Sequence, residues 1–237
     1  MNKTIFSGIA LLILLLPCSA LSLAPDCRKC HEKLLKEKIV HPAITMGCDA
    51  CHTGIDASTV PHTNTGKIAH GLSSDQPALC YGCHDSSLFT KKDVHPALSQ
   101  GCTVCHNPHS SPHAKLLVAE PPELCFTCHD KSGFTNKLNN HAPVAQGKCL
   151  TCHTPHSSDE MALLLKKPLD VCLECHKNIR HGEHKTMPPG KELQDPLRPG
   201  RPFYCGTCHN PHGSNGVLMF RFDAQSTKSL CEHCHKF

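Results

Sequence analysis

The sequence predicts short α-helices and irregular loops with little or no β-sheet, wrapped around a stacked array of something other than side chains. Three observations predict it. Of 237 residues, 19 are Cys and 21 are His, Trp is absent, and only two Tyr and eight Phe occur. At 4% aromatic content an ordinary interior lacks its large fillers. The 19 Pro and 15 Gly, together with Ser, separate short apolar stretches, and there is neither sustained strand alternation nor a long amphipathic run. A hydrophobic content of 39% with a formal charge of only +4 excludes a disordered chain, and the length excludes a small disulfide scaffold.

The cysteines say what fills the interior. Eighteen stand in nine CxxC pairs, each followed at once by His. They are Cys27, Cys30 and His31; Cys48, Cys51 and His52; Cys80, Cys83 and His84; Cys102, Cys105 and His106; Cys125, Cys128 and His129. The series continues with Cys149, Cys152 and His153; Cys172, Cys175 and His176; Cys205, Cys208 and His209; and Cys231, Cys234 and His235. CxxCH is the attachment signal for c-type haem. Two thiols one helical turn apart each form a thioether with a neighbouring vinyl group, and the next residue reaches the iron as proximal ligand. Zinc sites need four ligands and no His directly after the second Cys. A thioredoxin-like site is one CxxC in a βαβ setting. Disulfides explain the even count but not nine adjacent histidines. Nine haem c, with iron, are therefore expected.

The motifs alternate between two kinds. One is led by Gly and flanked by outer histidines: His95-Pro96-Ala97 precedes Gly101-Cys102, and Asn107-Pro108-His109-Ser110-Ser111 follows His106. His141-Ala142-Pro143 and Thr154-Pro155-His156-Ser157-Ser158 frame Cys149 in the same way, His41-Pro42-Ala43 precedes Gly47-Cys48, and Asn210-Pro211-His212-Gly213-Ser214 follows His209. The other kind follows an apolar residue, as in Leu79-Cys80, Leu124-Cys125, Val171-Cys172 and Leu230-Cys231.

Nine irons need up to nine distal ligands. The candidates are His41, His62, His95, His109, His141, His156, His212 and one of His181 and His184, with His70, His113 or the second of His181 and His184 as the ninth. His233 lies inside its own motif and is set aside. Proline beside these residues ends the turn that carries the motif, so the following His can swing to another haem. Met, the competing ligand, occupies no repeated position, so bis-histidine ligation and low potentials are expected.

The N-terminus carries Lys3, an apolar run over 5–16 and small residues at Ala20 and Ala24, the form of a signal peptide. We place it at 1–20, with cleavage as late as 24 the alternative, and the haem domain at 25–237. Export suits c-type haem, which is attached outside the bacterial cytoplasmic membrane. An uncleaved anchor over 5–24 and a lipidated Cys18 are weaker alternatives. Removing the signal leaves about 24 residues per haem, too few to wrap each ring separately, so the haems must touch and serve as the core. Eighteen propionates would turn the formal balance to roughly −15 in the reduced protein. Lys and Arg are thus read as propionate partners, and no nucleic-acid partner is expected. The segment 187–202 reads as an extended loop.

The phrases His141…Gly147-Lys148-Cys149…Cys152-His153-Thr154-Pro155-His156-Ser157-Ser158 and Leu163-Leu164-Leu165…Cys172…Cys175-His176 resemble the doubled-CxxCH family of multihaem cytochromes c. The resemblance covers nearly all of 27–235. It implies a fold of short helices and loops around a stacked haem array, and a task in the periplasm or at the periplasmic side of the outer membrane of anaerobic, metal- or sulfur-respiring bacteria. By similarity to the periplasmic decahaem subunit of porin–cytochrome conduits, it implies a redox donor and acceptor as partners, an outer-membrane porin and a surface cytochrome among them, with the membrane met only by association or through an uncleaved N-terminus. Three classes follow: an electron carrier or conduit with no catalytic residues, an extracellular or filament-forming cytochrome, and a nitrite or sulfur-oxyanion reductase. The reductase class generally needs a five-coordinate iron, often marked by Lys in place of a proximal His; all nine here are His.

Overall fold

A computed structural model of the chain describes residues 26–179 and 193–237. The leader assigned to 1–20 and the candidates His181 and His184 lie outside the described residues.

Each CxxCH forms one turn, closed by a bond from the His amide to the carbonyl of the first Cys. That bond spans 2.9–3.1 Å in all nine motifs, from His31 to Cys27 through His235 to Cys231. The two kinds of motif differ in how they begin. Three turns of the histidine-flanked kind are 3₁₀, at Cys48–Ala50, Cys102–Val104 and Cys149–Thr151, whereas the fourth, Cys205–Cys208, is a single α-helical turn entered from Tyr204. Gly47 and Gly101 enter the first two at φ +101 and +98, a backbone that L side chains disfavour. The apolar-led motifs ride on short α-helices, Ala78–Tyr81, Glu123–Phe126, Pro168–Leu173 and Thr227–Cys231.

Between the motifs lie four two-stranded antiparallel sheets of two residues per strand. Three of them join distant units: Ile39–Val40 with Ser110–Ser111, Asp93–Val94 with Ser157–Ser158, and Asn139–Asn140 with Gly213–Ser214. Strands so short contribute little alone, and buried serines fasten them. Ser110 Oγ donates to Leu34 O (2.6 Å) and accepts from Glu37 N; Ser157 Oγ donates to Leu88 O (2.8 Å) and accepts from Lys91 N. Ser111 and Ser158 Oγ close their own strands on Leu117 O and Leu164 O.

The side-chain core is small. Among the described residues, the buried apolar side chains besides Pro168 are Leu116, Phe220, Ala224 and Leu230, whereas twenty large apolar residues are exposed. Three of the four lie in the last unit, where Phe220, Ala224 and Leu230 pack as one cluster against Cys208. The segment expected to run extended from 187 to 202 instead closes, from Leu193 onward, into a hairpin. Phe203 N donates to Leu193 O and Asp195 N to Arg201 O. Its tip is pinned by Asp195, whose side chain is fully buried and paired with Arg198 and Arg221. An internal ion pair, invisible in the Pro-rich composition, folds the segment back.

Candidate haem-binding row

Seven outer histidines each stand opposite a histidine that follows a CxxC. His62 meets His31, His41 meets His84, His109 meets His52 and His95 meets His129, with ring centroids 5.9–6.1 Å apart. His156 meets His106, His141 meets His176 and His212 meets His153, over the same range. Two imidazoles that share one metal, each by a bond of about 2 Å, place their ring centres on the order of 6 Å apart. Direct stacking would bring them closer. Each pair, with the two thiols of its CxxC alongside, is a donor set that fits a covalently attached haem with an axial imidazole on each face.

The pairing follows a rule that no single unit reveals. Neither outer histidine of a unit serves that unit's own Gly-led motif. The histidine before the motif (His41, His95, His141) reaches forward to the next apolar-led motif. The histidine after it (His109, His156, His212) reaches back to the preceding Gly-led motif, and His62 also reaches back, to His31 of the first motif, which is not Gly-led. The cross-unit sheets enforce this. His41 N donates to His109 O and His95 N to His156 O, both at 2.8 Å, so one sheet holds the partners of two successive motifs. Asn107 and Asn210 side chains accept from the His109 and His212 amides and set the turn after each proline.

Electrostatics match neutral ligands. Burial lowers the pKa of His109, His156 and His212, each helped by the proximal ring it faces, and lowers that of His41, with His84 adding. An imidazole that stays neutral keeps a lone pair for a metal. Phe89 lies against His156 and Phe134 against His212, at 4.8 and 5.1 Å between centroids, which removes one side of each ring from water.

Successive motifs abut through alternating ends. The first cysteines meet pairwise. Burial, then the neighbouring Cys27, raises the Cys48 thiol; burial, then Cys102, pushes Cys80 up to about 11; burial, then Cys149, raises Cys125; and the Cys205 thiol itself is the main cause at Cys172. Gln76 reinforces the third-to-fourth junction, its Oε1 accepting from Cys102 N at 2.8 Å. Pro122 fills the space beside Gly147 at the fifth-to-sixth. Across the other junctions the second cysteine of one motif lies near the next motif: Cys51 near Cys80, Cys105 near Cys128, Cys152 near Cys175, and Cys208 near Cys231 and Cys234, and after burial these neighbours raise the Cys105, Cys152 and Cys208 thiols, Cys231 ahead of Cys234 at the last. The motifs thus follow one another in space in chain order.

The remaining candidates are placed otherwise. His70 turns its backbone carbonyl, not its ring, to His52, and His113 Nδ1 bonds Glu120 at 3.2 Å. Among the described residues neither faces a proximal ring. His233 stacks on Phe222 at 4.1 Å. A groove at the ninth motif is lined by Phe203, Phe222 and Leu230 together with Cys231, Cys234 and His235, an apolar seat beside a thiol pair and an imidazole. Sequence reasoning missed the serine clasps and Asp195. The repeated Ser-Ser after each Pro-His was the available signal for the first; a lone Asp in a Pro-rich stretch gave none for the second.

No curated protein matches the chain. The doubled CXXCH motif profile matches four times, over residues 41–88, 95–134, 141–181 and 196–237, each span holding one motif of either kind. These matches cover more than half of the sequence, and with the paired imidazoles and minimal side-chain core they identify the chain as a member of the doubled-CXXCH family, a multihaem c-type cytochrome that transfers electrons.

Proposed function

We propose that the protein binds nine haems c, one at each CxxCH, and conducts single electrons along them in chain order, as an exported conduit in the periplasm or across the outer membrane in anaerobic respiration. The observation that carries this reading is the succession of motifs in chain order, neighbours meeting alternately through their first cysteines and through the earlier motif's second cysteine, and splinted by the cross-unit sheets. The first motif, Cys27–His31, lies outside the profile matches. It has the same turn, with His31 N to Cys27 O at 2.9 Å, and the same facing imidazole in His62.

Haem supplies one-electron exchange at iron when bound. The chain's part is to fix each ring by two thioethers and a proximal His, to offer seven of the irons a second imidazole, and to hold neighbouring sites at fixed separation. At the seven sites where a second imidazole stands opposite the proximal one, haem would have no open position for a substrate, which favours a carrier over a reductase. Among the described residues no helix is long and apolar enough to cross a membrane, so passage across an outer membrane would need a partner such as a porin. A soluble or membrane-bound donor and a surface cytochrome as acceptor complete the proposal. The test is a haem count on the mature protein with low-temperature spin-state spectroscopy and exposure of the reduced form to CO. Nine low-spin haems unreactive to CO are expected. Fewer haems, or a high-spin iron that binds CO, overturns the reading in favour of catalysis.

A further inference from the structure

Resting on that reading, we propose that the irons alternate in reduction potential along the row, those held by His52, His106, His153 and His209 being the lower members, because a backbone carbonyl is aimed at each of these proximal rings. Nδ1 of the four donates to the carbonyls of His70, Lys115, Ala162 and Leu218, at 2.7–2.9 Å. A carbonyl can only accept, so Nδ1 carries the proton and Nε2 is left to the metal. Among the described residues no carbonyl meets Nδ1 of His31, His84, His129 or His176, which are exposed where the other four are half-buried.

The carbonyls are placed by an unusual device. Lys115-Leu116, Ala162-Leu163 and Leu218-Met219 all have φ between +51 and +59, and His70-Gly71 follows at +59 and +61. Two successive residues of positive φ make the turn that hairpins normally fill with Asn-Gly. L residues with long side chains disfavour it. It is nonetheless kept in all four units, sewn to its motif at both ends. Asn107 N donates to Leu116 O, Thr154 N to Leu163 O and Asn210 N to Met219 O, while Val118 N and Leu165 N donate to the second cysteine's carbonyl at Cys105 and Cys152.

An oriented carbonyl on Nδ1–H gives the imidazole partial anionic character and makes Nε2 a stronger donor. A stronger donor favours ferric over ferrous iron and lowers the potential. The change is one electron at iron, taken from the redox donor, and the Nδ1 proton stays on its ring. Strictly alternating motifs then give alternating potentials.

The test uses the full holoprotein and potentiometric titration followed optically and by EPR. Ala162 is exposed, and proline there cannot adopt φ +53, so Ala162→Pro swings the carbonyl off His153; Ala162→Gly keeps the turn. One low-potential component should move up in Ala162→Pro and return to its place in Ala162→Gly, with haem count and low-spin signals intact in both. An unmoved titration in Ala162→Pro overturns the inference. Two deletions test it without the turn: Cys149→Ser/Cys152→Ser should remove a component from the low group, and Cys125→Ser/Cys128→Ser one from the high group. The reverse assignment overturns it. A wild-type haem count below nine would instead strike the conduit reading.

Discussion

The middle units and the last unit solve the same problem with different material. Between His41 and Ile179 the only buried apolar side chains among those described are Leu116 and Pro168, and cohesion comes from two-residue strands, serine clasps and facing imidazoles. From Leu193 onward the chain has Phe220, Ala224 and Leu230 in contact, with Asp195 pinned between Arg198 and Arg221. In the middle, each unit is closed by residues of its neighbours: Ser157 reaches Leu88 from 69 positions away. In the last unit the hairpin over 193–203 and the turns after Phe220 bring the closing residues from nearby. Short-range closure permits a packed interior. Long-range closure through histidines leaves the interior to the cofactor.

That contrast can be broken most directly by withholding haem. The amides of His41 and His95, bonded across units, should then exchange freely with solvent, whereas those of Phe220 and Leu230 keep protection. Equal loss in both regions would show that the last unit has no independent stability. A smaller effect isolates the ion pair. Asp195→Ala removes a buried carboxylate from two guanidiniums and should cost about 3 kcal/mol, read as faster exchange confined to 193–237.

The pH dependence of that pair has a definite sign. Burial works to raise the Asp195 carboxyl, but the Leu197 N–H and the Arg198 and Arg221 guanidiniums outweigh it and hold the pKa below the usual value. A depressed carboxyl contributes stability that is full above its unfolded pKa of about 4 and is lost as pH falls through the folded value. The last unit of the wild type should therefore weaken below about pH 4, and Asp195→Ala should lose that dependence. The smallest effect compares clasps. Ser157→Ala strands Leu88 O and Lys91 N and should destabilise the middle by about 1–2 kcal/mol. Ser214→Ala, whose hydroxyl bonds Gly216 O at a longer 3.4 Å, should do less; the ranking is read by thermal unfolding.

Much of the site was legible because covalent chemistry is local. A thioether pair and a proximal ligand need Cys, Cys and His on one turn, and that turn closes by a bond between residues four apart, so His31 through His235 could be named as candidate ligands from spacing alone. Outer histidines were legible as a set, since Pro-His recurs with each unit. Their assignments were not: His41 pairs with His84 and His109 with His52, across 43 and 57 positions. Spacing gave no means to tell His62, which faces a ring, from His70, which offers a carbonyl.

By itself the sequence determined the cofactor class, the irregular helical fold and the pool of ligands, because each is written in residues within a turn of one another or in composition. Only the tertiary structure decided which imidazole faces which, which proximal rings receive a carbonyl, and that the motifs stand in single file. Those depend on strands two residues long and on turns in left-handed backbone, whose energies come from partners dozens of positions away and leave no periodic trace along the chain.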